Sequence, residues 1–94
     1  YFIEVQLHGR TLDPHGYLVD IVDIEANLDA LIAEYRDQTL NEMPSFAGLN
    51  PSIEHFSRIL CETLAGRIQA NTLNAITIQL WENEIAWASY RVEI

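Results

Sequence analysis

The chain reads as an α+β domain, an antiparallel sheet with two helices on one face. Three observations predict this: a period-2 stretch at the start, two helical periodicities in the middle, and two more alternating segments at the end. The order strand, helix, helix, strand, strand keeps both helices in one connection and so on one layer.

Tyr1 to His8 alternates, with Tyr1, Ile3, Val5 and Leu7 on one side and Glu4, Gln6 and His8 on the other, until Gly9 ends the strand. Leu12-Asp13-Pro14-His15-Gly16 has the residues of a turn, and Tyr17 to Ile21 continues as a short extended piece. Asp23 is the expected N-cap of the first helix, whose apolar stripe is Ile24, Leu28, Leu31, Ile32 and Tyr35. From Arg36 to Leu49 the periodicity fails, a connection long enough to carry function.

The second helix is expected from about Pro51 to Ala70. Asn50 caps it, Pro51 takes the first helical position, and Glu54 meets the positive end of the dipole. Ile53, Phe56, Leu60 and Leu64 form its buried stripe, widened by Ile59 and Ile68. Ile76, Ile78 and Leu80 then alternate with Thr77, Gln79 and Trp81 in a strand, and Asn83-Glu84 turns into a last strand, Ile85 to Ile94. The second face of the sheet carries Glu4, Gln6, Thr77 and Gln79. It is too polar for a dry core and suggests a wet interior, such as a barrel closed between subunits.

With 94 residues the chain is a single domain with a thin core, which makes help from a homo-oligomer plausible. Five basic against fourteen acidic residues give a net charge of −9, which argues against nucleic acid and anionic membrane as partners. Cys61 is the only cysteine, so no intrachain disulfide forms, and a cytoplasmic setting fits best. No apolar run approaches the ~20 residues of a membrane span.

His8, His15 and His55 lack the close spacing of common zinc sites and read as surface or site-rim histidines. Cys61 and His55 rotate to different faces of one helix, so Cys61 reads as a packed residue. Glu82 stands out. It ends an apolar strand beside Trp81, where a carboxylate next to an aromatic platform can read the N–H edge of a flat heterocycle through two parallel hydrogen bonds. Trp81, Trp87 and Tyr90 fit ring stacking, core or subunit interface. Arg36-Asp37 opens the long connection, with helix-end Arg and turn-starting Asp as its ordinary reading.

Taken together, Gly16-Tyr17-Leu18-Val19-Asp20, Thr39-Leu40-Asn41-Glu42, Asn50-Pro51-Ser52-Ile53-Glu54 and Leu80-Trp81-Glu82 resemble, in order, motifs of the 6-pyruvoyl-tetrahydropterin and 6-carboxytetrahydropterin synthase family. The resemblance covers the chain nearly end to end. It implies the tunnelling fold, in which subunits join sheets into a barrel with active sites at interfaces. It also implies a lyase reaction on dihydroneopterin triphosphate or a related pterin, with zinc assisting elimination of triphosphate and rearrangement of the side chain. By residue match Glu82 anchors the pterin ring, with Ser52 and Glu54 lining the same pocket.

Two departures from the family pattern matter. The family's His-Gly-His-Asn zinc ligands precede the residue matching Tyr1, and a further ligand and the catalytic Cys lie further upstream. None is in this chain, so an N-terminal zinc-binding strand is expected to have preceded it. The family's Leu-Asp-His reads Tyr35-Arg36-Asp37 here. A histidine takes and gives a proton, whereas Asp37 is a candidate base only. The alternative is a catalytically silent pterin-binding or structural module of an oligomeric or tandem barrel.

Overall fold

The alternation at the start of the chain becomes β1, Phe2–Gly9, in which Ile3, Val5 and Leu7 are half-buried. In the computed structural model, residues 1–12, 14, 16, 18–36, 43–44, 48, 52–68 and 72–94 are described. After β1 come α1 (Ile21–Tyr35), α2 (Ile53–Arg67), β2 (Leu73–Trp81) and β3 (Trp87–Glu93). The three strands form one antiparallel sheet in the order β1-β2-β3.

Register separates the two faces of the sheet. Ile3 pairs with Leu80, Val5 with Ile78 and Leu7 with Ile76, and these side chains meet the helices. On the opposite face lie the rows Glu4, Gln79, Ser89 and Gln6, Thr77, Arg91, so the expected wet face is present. β2 lies between the other two strands and is the most buried; its Ile76, Ile78 and Leu80 are fully enclosed. The β-branched residues among them suit a pleated surface covered by a helix.

Helix α2 supplies the other half of the core through Phe56, Ile59, Leu60, Cys61 and Leu64. Helix α1 adds Ile24 and Leu31, with Leu28 and Tyr35 partly buried at its margin. Tyr35 and Tyr1 both lie against Phe56, with ring centroids 5.2 and 5.6 Å away. Arg67 pairs with Glu34, the neighbour of Tyr35, and joins the C-terminal ends of the two helices; its hydrogen bond holds the Glu34 carboxyl below the ordinary range. The pair is exposed, so its stabilising effect is small.

Helix starts differ from expectation. Asp20, not Asp23, caps α1, accepting from the Val22 N–H at 3.0 Å, so Ile21 belongs to the helix and not to an extended piece. Asp23 instead contributes an acid to the first turn. Ser52, not Asn50, caps α2, accepting from the His55 N–H at 3.2 Å. Asn50 and Pro51 lie outside the described residues, and α2 ends at Arg67, short of Ala70. Removing the Ser52 hydroxyl leaves the His55 N–H without this acceptor. Ser52→Ala is expected to lower stability by about 1 kcal/mol, read as a reduced urea midpoint.

Gly9 has a steric reason. The register slips between His8 and Gly9, and a Cβ at Gly9 would run into the Thr72 carbonyl and the Leu18 side chain. Thr72 also donates its hydroxyl to the Leu18 carbonyl, which ties the segment before α1 to the start of β2. Glycine lets three segments converge there.

Candidate functional site at the end of the sheet

Three aromatic residues line up across the end of the polar sheet face. Phe2 of β1 pairs with Trp81 of β2, and Trp81 pairs with Trp87 of β3, so all three project to the same side. The two indoles are 5.7 Å apart and tilted by 39°. Phe2 and Trp87 remain open to solvent at 68% and 50% exposure, an unusual placement for large apolar side chains on a face that is otherwise polar.

Glu82 follows directly on Trp81, where the chain leaves β2. The connection to β3 is longer than the expected tight turn at Asn83-Glu84, and β3 begins at Trp87, not Ile85. Its closure is specific. The Glu82 N–H donates to the Ala86 carbonyl at 2.8 Å, while the Asn83 side-chain oxygen accepts from the N–H groups of Ile85 and Ala86 at 3.0 and 2.9 Å. Asn83 thus fixes the five residues that carry the two glutamates, and Ile85 is left 89% exposed at the tip.

Tyr1, Phe2, Trp81, Glu82, Asn83 and Glu84 together line a hollow of about 410 Å³. That volume suits a small organic ligand, for which sites span roughly 300–1,000 Å³. The chemistry is a carboxylate beside aromatic surface, able to accept two N–H groups from the edge of a planar ring while the ring rests on an aromatic face. A second hollow adjoins through Tyr1 and Phe2 and reaches Ile3, Leu28, Ile32, Tyr35, Arg36, Phe56 and Leu60 on the helix side. It is largely apolar.

The other candidates fall in different places. Ser52 uses its hydroxyl to cap α2, and Glu54 is exposed in that helix's first turn. Neither lines the Glu82 hollow. Asp37 lies outside the described residues, as does His15. Arg36 caps the C-terminus of α1 and borders the apolar hollow. Tyr1 and Phe2 were not singled out as site residues by sequence reasoning. Their signal was the alternation of β1; what it lacked was the register that brings them beside Trp81 and Glu82.

The metal implied by the family does not fit the described residues. No group of three His, Cys, Asp or Glu side chains among them could hold an ion. His8 lies on the polar sheet face with its Nε2 3.4 Å from the Thr77 hydroxyl, while Cys61 is enclosed on the helix side with its thiol 3.3 Å from the Ile76 carbonyl. Burial pushes the Cys61 thiol above its ordinary pKa. Cys61 is therefore expected to resist a thiol-specific reagent in the native protein and to react fully after unfolding in urea, measured by the absorbance of the released thiolate.

The fold and the hollow define a small α+β domain with a strand-end carboxylate beside aromatic surface at one end of its sheet. The family model for 6-pyruvoyl tetrahydropterin synthase matches residues 1–93, and the chain belongs to that family. A comparison with curated proteins finds no match. Membership gives the chain a pterin-related, synthase-like role. No helix among the described residues is long and apolar enough to cross a membrane.

Proposed function

We propose that the chain binds a pterin of the dihydroneopterin type, with Glu82 accepting the N–H edge of the ring and the Trp81–Phe2 surface supporting its face. The observation that carries this is the position of Glu82: it is held by the Asn83-closed connection at the rim of an aromatic hollow. The reaction class is that of the family, 6-pyruvoyl- or 6-carboxytetrahydropterin synthesis. The zinc belonging to that chemistry would need ligands other than the described residues, so binding and orientation of the ring are the roles assigned to this chain.

Self-association is part of the proposal. β1 and β3 are the outer strands of the sheet, and the polar rows through Gln79 and Thr77 would face the lumen of a barrel made by several copies. Ser52 and Glu54, which lie away from the Glu82 hollow, would then join it from a second copy. Asp37 is the proposed base. Arg36-Asp37 in place of Asp-His supports the second reading, a catalytically silent pterin-binding module, because it lacks a group that can both take and give a proton. The acidic composition supports neither nucleic acid nor membrane as a partner, and the single cysteine favours the cytoplasm.

The test is a calorimetric titration with neopterin. Saturable binding is expected, and no heat of binding across a millimolar range contradicts the proposal. Conversion of a dihydroneopterin substrate, followed by product chromatography, separates the enzyme from the silent module.

A further inference from the structure

We infer that Asn83 is a specificity-determining residue, donating from its Nδ2 group to the 4-oxo oxygen of the ring whose N–H edge Glu82 accepts. The inference rests on the reading of the Glu82 hollow as a pterin site. It adds a donor to that site and narrows the heterocycle to one whose edge presents two N–H donors followed by a carbonyl.

Its basis is the end of the Asn83 carboxamide that the fold already uses. Backbone N–H groups only donate, so the atom that meets two of them, from Ile85 at 3.0 Å and from Ala86 at 2.9 Å, is the oxygen Oδ1. Those two bonds occupy both lone pairs of that oxygen and point it into the connection. Nδ2, at the other end of the planar amide, is turned away from the backbone and carries two N–H donors. Asn83 is exposed and lines the same hollow as Glu82. What its side chain offers a ligand there is a donor.

Glu82 and Asn83 are neighbours at a point where the backbone is pinned, since the Glu82 N–H donates to the Ala86 carbonyl at 2.8 Å. A pair of acceptor oxygens and a donor are thus held side by side at the rim, next to Trp81 and Phe2. One edge of a pterin carries, in order, the 2-amino group, N3–H and the 4-oxo oxygen. The carboxylate takes the first two and Asn83 takes the third. A ring with a second amino group at position 4 sets donor against donor, and a site built to hydrogen-bond its ligand discriminates strongly against such a mismatch.

The experiment is a calorimetric titration of the wild-type chain and of Asn83→Asp with neopterin and with its 4-thio analogue. The analogue keeps both N–H donors and replaces the oxo oxygen by a weakly accepting sulfur. Asn83→Asp keeps the acceptor that closes the connection and removes the donor, and the ratio of the two affinities within one variant cancels the effect of the added charge. The wild type is expected to prefer neopterin by about five- to tenfold, and Asn83→Asp to show no preference while its thermal midpoint moves little. Equal affinities in the wild type overturn the inference and leave the ring site at Glu82 standing. A preference that survives in Asn83→Asp belongs to the sulfur itself and also overturns it. If neither ligand binds the wild type, the ring-site reading fails and the inference with it.

Discussion

Glu82→Ala is expected to weaken pterin binding by about a hundredfold or more while leaving the fold intact. Two hydrogen bonds to a carboxylate are each worth ~1.5–3 kcal/mol, and every ~1.4 kcal/mol is a factor of ten in affinity. Glu82 is exposed and its backbone is held by Ala86, so truncation removes no core contact. The thermal midpoint should therefore move little. Glu82→Gln retains one acceptor oxygen and is expected to lose roughly half as much binding free energy. Unchanged affinity in both variants, measured by calorimetry with neopterin, would place the ring elsewhere.

Leu64→Ala is expected to produce the largest loss of stability. Leu64 is fully enclosed on α2, in the core cluster that includes Leu31, Ile76 and Ile78. Truncation removes buried methyl groups and leaves a cavity, at a cost of about 3–4 kcal/mol. For a domain of this size each kcal/mol lowers the thermal midpoint by about 4–8 °C, so a fall of at least ~12 °C is expected by circular dichroism. Leu64→Met keeps the volume and should cost less than ~1.5 kcal/mol. A small shift in the alanine variant would show that α2 is not seated on the sheet as described.

The elements were legible where one physical signal dominated. Strict alternation identified β1 and β2, and the spacing of Phe56, Leu60 and Leu64 identified α2. Helix starts were less legible because several residues can cap. Ile21 and Val22 are exposed at 58% and 70%, so the apolar stripe that signals α1 begins a turn later than the helix itself. In the Asn50-Pro51-Ser52 segment both Asn50 and Ser52 are good caps. Proline preference favoured Asn50, whereas the hydrogen bond to the His55 N–H identifies Ser52.

The candidate site was half legible. Glu82 beside Trp81 at the end of an apolar strand carried its own chemical meaning. The role of Asn83 did not show, since an asparagine in a turn does not announce which N–H groups it will accept. Ile85 reads as strand by its side chain but sits at the exposed tip that Asn83 closes. Tyr1 and Phe2 could be placed only by the pairing of β1 with β2, a contact between opposite ends of the chain.

A crystal structure with bound neopterin tests the central claim most directly. The ring is expected against Trp81 and Phe2, with its N–H edge donating to both oxygens of Glu82 at about 2.7–2.9 Å. A ring bound at another place, or one that makes no contact with Glu82, would contradict the account.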